Sequence, residues 1–143
     1  MLRRILYISR AAEGFTEHRL RQIIATAQLN NRRRDLSGVL AVGKGLFAQV
    51  LEGAPADIAQ TLEQIRADSR HDDVQLVSDS VTRARLFDRW SMALLVEDAA
   101  ADLAEAVREG RRDAAELIEH LRGQLARDPV YWSSGIRTLA LAA

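Results

Sequence analysis

The sequence predicts an α+β fold in the order β-α-β-β-α-β-β, followed by a C-terminal helical appendage. Three observations predict it. Short apolar runs with strand-like patterning recur across residues 2–9, 36–42, 46–52, 74–82 and 90–96. Two segments between them place apolar residues at helical spacing. After Glu97 the composition turns alanine-rich and the spacing becomes helical. Strand, helix, hairpin, helix and strand in that order make a ferredoxin-like split βαβ unit. The extra strand makes a mixed five-stranded sheet with two helices packed on one face. Residues 1–97 are expected to form this domain and residues 98–143 the appendage.

The first strand, "LRRILYIS", sets Ile5, Tyr7 and Ser9 on one face and Leu6 and Ile8 on the other. Both faces are mostly apolar, which suits a central strand. In "GFTEHRLRQIIATAQLNN", Thr16 is placed to cap a helix and Glu17 favours its first turn. Phe15 and Leu20 occupy the two positions of a hydrophobic staple, and Leu20, Ile23, Ile24 and Ala27 continue the stripe. The Asn30-Asn31 pair is expected to end this helix, ahead of a charged "RRRD" turn. "LSGVLAVGKGLFAQVLEG" reads as a hairpin turning at Gly43-Lys44-Gly45. Pro55 suits the first turn of a second helix, with its stripe at Ile58, Leu62 and Ile65 and its end near Ser69 or Arg70. "VQLVSDSVT" and "WSMALLV" supply the fourth and fifth strands. "AADLAEAVREG" is expected to be helical as far as Gly110. A last helix in "RDAAELIEHLRGQLARDP" aligns Leu117, Ile118, Leu121 and Leu125, and Pro129 halts it.

Composition narrows the function classes. The chain has 143 residues, of which 48% are hydrophobic, enough for a core. No apolar run is long enough to span a bilayer. The apolar start contains Tyr7 and Ser9 and stops at Arg10, which does not suit a signal peptide. A soluble, cytoplasmic protein is expected. The lack of cysteine excludes disulfides, thiolate zinc sites and a cysteine nucleophile. Zero formal net charge speaks against nucleic-acid binding. His18, His71 and His120 have no metal spacing, and Ser9, Ser37 and Ser91 have no His-Asp signature. Asp72-Asp73 and Glu97-Asp98 lie at element ends and read as solvated charges, as do the helix-borne His18 and His120. Arg32-Arg33-Arg34 reads either as a solvated loop or as a holder of an anion.

One buried polar residue stands out. In "GLFAQVLEG", alternation puts Gln49 with Phe47 and Leu51, on the face expected to lie under the helices. A buried amide brings two donors and two acceptor lone pairs, and leaving them unsatisfied costs about 1–3 kcal/mol. In a split βαβ fold the first and third strands are neighbours, so Tyr7 is the expected partner. Asn30 and Asn31 bring two further amides nearby. Two readings stand level on these residues: mutual satisfaction in an ordinary core, or a ligand with a polar edge and a flat apolar body.

The same residues resemble the BLUF family, blue-light sensors that use a flavin. The resemblance covers roughly residues 2–97. It rests on "LYIS" with Tyr7, "NN" with Asn31, "LSGVL", "FAQVLEG" with Gln49, "DSRH" with Asp68, Arg70 and His71, and "RLFDRWSM" with Arg85, Phe87, Trp90 and Met92. It implies that Tyr7 gives an electron and a proton to the photoexcited flavin, and that Gln49 lies between Tyr7 and the ring. Asn31 would hold the polar edge of the ring, with Asn30 and Ala27 beside the flavin and Arg70 and His71 near the ring or its ribityl chain. Trp90 and Met92 would change placement with the signal. FAD is the flavin implied, although FMN and riboflavin carry the same ring; the three arginines after Asn31 would meet the FAD phosphates. Ser37 replaces a frequent threonine and keeps its hydroxyl. Ala27 stands where several members have a serine, so the resemblance does not imply a hydrogen bond to the flavin at that position.

The expected function is a blue-light photoreceptor and not an enzyme. Its signal would pass through the fifth strand and the helices after Glu97. No segment has the length of a cyclase, phosphodiesterase or DNA-binding module, so a separate regulator protein or a change in self-association is expected to receive it. Leu6, Ile8, Leu46 and Val50 make an apolar outer face that the appendage or a second copy would cover, and a homodimer is expected. No membrane or nucleic-acid partner is expected. Two rivals are an enzyme of acylphosphatase type, for which Arg10 follows the first strand but without a glycine-rich loop, and a flavin-less interaction module.

Overall fold

The computed structural model describes residues 1–88 and 91–127. Its elements are β1 (Leu2–Ala11), α1 (Glu17–Arg33), β2 (Ser37–Gly43), β3 (Leu46–Gly53), α2 (Pro55–Ala67), β4 (His71–Thr82), β5 (Ala93–Val96), α3 (Asp98–Arg108) and α4 (Ala114–Arg127). The strands form one sheet in the order β4-β1-β3-β2-β5. β1 pairs antiparallel with both β3 and β4, β2 pairs antiparallel with β3, and β5 lies parallel to β2. The sheet is therefore mixed, with β1 and β3 near its centre.

Strand alternation divides the core in two. Ile5, Leu40, Phe47 and Leu51 face α1 and α2 and pack with Leu20, Ile24, Ile58 and Leu62. Leu6, Ile8, Leu46 and Val50 face the other way, where Ala104, Val107, Leu117, Leu121 and Leu125 of α3 and α4 cover them. The apolar outer face thus finds its cover within the chain. The register places Tyr7 directly opposite Gln49 on the α1–α2 side. A slip of one residue would send one of the two to the opposite face.

Several element ends differ from the sequence reading for identifiable reasons. α1 continues past the Asn30-Asn31 pair to Arg33, because the Asn31 side chain bonds Ser91 and not its own helix. The break comes at Asp35, whose φ of 53° is left-handed. α2 stops at Ala67, where Asp68 turns extended and its carboxylate accepts the Arg70 backbone N–H at 2.9 Å. That turn lets β4 begin at His71. In the hairpin, Lys44 and Gly45 both have positive φ, at 47° and 74°, the combination that matches strand twist in a two-residue turn. β5 is confined to Ala93–Val96, and the Trp90 end of its expected span lies outside the described residues. Thr16 caps α1 as expected, accepting the Arg19 N–H. Phe15 packs edge-on against Phe47, with ring centroids 5.0 Å apart.

A second buried polar residue of β3 holds the chain between β4 and β5. Glu52 is fully buried. Its carboxylate accepts Arg4 Nε at 2.7 Å and the backbone N–H groups of Leu86 and Phe87 at 2.8 Å each. Arg85 adds bonds to Ser37 Oγ at 2.9 Å and to the Asp35 carbonyl at 2.6 Å. These bonds fix residues 85–87 at the end of the sheet and seat Phe87, itself fully buried, in the core beneath α3 and α4. Replacing Glu52 by alanine strands a guanidinium and two amides. Glu52→Ala should therefore lose about 3–5 kcal/mol of stability in urea denaturation; an unchanged midpoint would contradict this role.

Candidate functional site

A cavity of about 440 Å³ lies between α1, α2 and the sheet. Small-molecule sites commonly span about 300–1,000 Å³. Tyr7, Leu40, Phe47 and Gln49 form the floor. Ile23, Ala27, Asn30, Asn31 and Arg34 line the α1 side, and Thr61, Gln64, Ile65 and Ala67 the α2 side. Asp68, Arg70 and His71 close one end. The apolar residues form broad walls, while the amides of Asn30, Asn31 and Gln49 come from α1 and β3.

The floor carries the most constrained group. Gln49 is buried, and its Oε1 accepts the Tyr7 hydroxyl. Its Nε2 reaches Met92 Sδ at 3.4 Å. A thioether sulfur is a weak acceptor, so among the described residues two amide hydrogens share one poor partner. The Tyr7 hydroxyl is pushed well above the ordinary tyrosine range, first by burial and then by the charge of Asp68. Both effects penalise a phenolate, so Tyr7 holds its proton and offers it to Gln49.

The remaining cavity groups are oriented by their own partners. Asn31 Nδ2 donates to the Ser91 carbonyl at 2.6 Å, and Gln28 Nε2 to the Met92 carbonyl at 3.1 Å. Two residues of α1 thereby hold the chain entering β5. Asp68 and Arg70 form a forked ion pair, with Arg70 Nη2 2.6 Å from Asp68 Oδ2. Each partner moves the other's pKa: Asp68 is lowered and Arg70 raised, chiefly by their hydrogen bonds. His71 is gripped at both nitrogens, Nδ1 lying 2.7 Å from Ser9 Oγ and Nε2 2.6 Å from the Ile65 carbonyl. A carbonyl only accepts, so Nε2 carries hydrogen; in the neutral ring Nδ1 then accepts the Ser9 hydroxyl.

The structure brings Tyr7, Ala27, Asn30, Asn31, Gln49, Arg70 and His71 to this one cavity, with Met92 touching Gln49. Trp90 lies outside the described residues. The three arginines separate: Arg34 lines the cavity and bonds Thr61 Oγ1 at 2.9 Å, whereas Arg32 lines a smaller space of about 240 Å³ beyond Asn31. Sequence reasoning missed Gln28, Thr61 and Gln64. Gln28 had a signal, since it stands one helical turn before Asn31 on the same face. Arg10, which the acylphosphatase reading requires, pairs instead with Asp73 and Glu105 of α3. Among the described residues no cluster of three or more metal-ligating side chains occurs. No helix among them is long and apolar enough to cross a membrane.

Residues 2–93 match the family model described as BLUF, sensors of blue-light using FAD. The chain is 31% identical over 95 residues to photoactivated adenylate cyclase subunit beta of Euglena gracilis, covering 66% of this chain and 11% of that protein. It spans about a tenth of the length of the curated relatives it matches. Its fold superposes on BlrB, a BLUF protein in the dark state, with a TM-score of 0.74 at 24% identity, covering 88% of this chain and 96% of that one. BlsA in its ground state gives a TM-score of 0.72 at 23% identity over 85% of each chain. A bacterial light-regulated adenylyl cyclase gives 0.68 at 22% identity, covering 94% of this chain and 40% of that one.

The Tyr7 environment yields a pH prediction. Its folded pKa lies above the unfolded value of about 10. The associated stability is fully present below about pH 10 and declines as pH rises from there toward the folded value. The chain has two tyrosines, so Tyr131→Phe leaves Tyr7 as the sole phenol. Ultraviolet titration of folded Tyr131→Phe should show almost no phenolate at pH 10. Half-ionisation at that pH would contradict the burial argument.

Proposed function

The chain belongs to the BLUF family of flavin-using blue-light sensors, and we propose that Tyr7 and Gln49 are its light-responsive pair and that FAD is held between α1 and α2. The observation that carries the reading is the Tyr7–Gln49 hydrogen bond on the cavity floor, with the poorly satisfied Gln49 amide hydrogens beside it. A flavin fits this donor set. Its ring edge offers carbonyl and nitrogen acceptors to Gln49, and its flat body suits the walls made by Ile23, Phe47 and Ile65. Asn30 and Asn31 would hold the polar edge. Arg34 and Arg70 would meet the ribityl chain or phosphates, which favours FAD over riboflavin. Bound flavin would supply light absorption and a strongly oxidising excited state.

The chain's own residues then define the response. Tyr7 is a buried neutral phenol whose hydroxyl already donates to the Gln49 oxygen, so loss of an electron and that proton has a ready path. Gln49 has chemically different ends. Rotation or tautomerisation exchanges what it presents to Tyr7, to the cavity and to Met92, without moving net charge. The Met92 sulfur gains or loses a donor as this happens, and Met92 leads into β5. The signal travels from there to α3 and α4, and then to a separate regulator or to a second copy in a homodimer. Cyclase activity in relatives belongs to those longer proteins.

The first test is the spectrum of purified protein before and after blue light, with the released flavin identified by chromatography. A reversible red shift on bound FAD is expected; failure to bind any flavin would overturn the reading. Gln49→Leu should retain flavin and lose the red shift, and a wild-type shift in that variant would remove the relay role. Tyr7→Phe should abolish the normal photocycle, which an unchanged photocycle would refute. Solution mass in dark and light tests the homodimer, against which a strict monomer in both states would count.

A further inference from the structure

β5 ends at a carboxylate that the sensing reaction leaves unused. Glu97 follows Val96 directly and stands at the N-cap position of α3, yet its side chain does not cap that helix. The carboxylate turns to α4 instead. Oε1 is bonded by His120 Nε2 and Oε2 by Gln124 Nε2, two donors one helical turn apart. The Glu97 side chain is only 17% exposed and that of His120 28%. This corrects the sequence reading, which places both in solvent. Their burial is mutual, because each is the other's polar partner at the α4–sheet seam.

The backbone at the same point is tightly seated. Glu97 N donates to the Val42 carbonyl of β2 at 3.0 Å. A Cβ on the neighbouring Gly43 would lie 2.7 Å from the Glu97 carbonyl and 3.0 Å from Ala101 Cβ, so the β2 end and the β5–α3 junction are in direct contact. At the other end of the strand, Met92 touches Gln49, and the chain there is bonded to α1 through the Ser91 and Met92 carbonyls. Five residue steps separate Met92 from Glu97, about 16 Å of extended chain. A short strand therefore carries a cavity contact at one end and a two-point hold on α4 at the other.

We propose that Glu97 is the positioning residue through which β5 holds α4, and that a shift of β5 at Met92 loosens or tightens α4 through this one carboxylate. The proposal rests on the light-sensing role assigned to the cavity, but its dark-state part does not. With the hold intact, α4 keeps Leu117, Leu121 and Leu125 on the sheet. With it broken, apolar packing alone retains the helix among the described residues, and it opens more often.

Amide hydrogen exchange on flavin-loaded full-length protein tests this, in the dark and under blue light. In the dark, α4 amides of Glu97→Ala should exchange at least about tenfold faster than wild type, the effect expected for two lost bonds to a charged acceptor. The flavin red shift should persist. In wild type, light should change exchange in both 91–96 and α4; in Glu97→Ala only 91–96 should respond. The double variant His120→Ala/Gln124→Ala removes the same hold from the α4 side and should behave alike, which covers the case that Glu97→Ala misfolds. Unchanged dark protection of α4, or an undiminished light response of α4 in either variant, would overturn the proposal. Absence of a red shift in wild type would instead count against the Tyr7–Gln49 reading, and the dark comparison would still decide the role of Glu97.

Discussion

A primary amide on the apolar face of a central strand must be given partners, and the arrangement around the cavity follows from meeting that demand at Gln49. The antiparallel register delivers Tyr7 as its cross-strand neighbour, so one acceptor is satisfied by the sheet itself. Among the described residues the donor side is met only by a thioether sulfur. This inequality gives the site its chemistry. A fully satisfied amide would be locked by several kcal/mol of mutual bonding, whereas one held firmly on one side and weakly on the other has a second orientation within reach. The cavity is placed where that weak side needs a better acceptor.

Glu52 and Glu97 apply the same physics to architecture. Each is a carboxylate whose two oxygens serve groups distant in sequence. Glu52 gathers Arg4 and the amides of Leu86 and Phe87, so the chain after β4 returns to the end of the sheet before entering β5. Glu97 gathers two side chains of α4 as the chain leaves β5. Among the described residues β5 is paired with β2 alone and spans four residues, so ladder bonds by themselves would hold it weakly. Carboxylates near both ends of its connection compensate.

Elements specified by local chemistry were legible in the sequence. The strand faces, the Thr16 cap, the hairpin turn and the apolar stripes of α1, α2 and α4 all arise from spacing within a dozen residues. The Tyr7–Gln49 pairing was legible too, because alternation and split βαβ topology leave few partners for Gln49. Groups whose environment comes from far along the chain were not legible. Glu52 gave no sequence signal, because its carboxylate's partners lie 34 or more residues away. Glu97 and His120 looked solvated for the same reason, each lacking any local signal of the other. Asn31 looked like a helix terminator, and only its bond to Ser91, 60 residues on, explains why α1 runs past it.

The strand order has a consequence for how firmly different parts of the molecule are held. Tyr7 and Gln49 sit on the two strands at the centre, each with neighbours on both sides, where local opening requires breaking two ladders at once. Met92 leads into an edge strand that is freed by breaking one. Opening free energy therefore falls stepwise from the central pair to the edges of the sheet. Of the two edges, β4 runs twelve residues along β1 whereas β5 spans four, so a small rearrangement at the stiff centre meets less resistance toward β5. The sheet thus acts as a mechanical gradient, set by strand position and length before any particular side chain is considered.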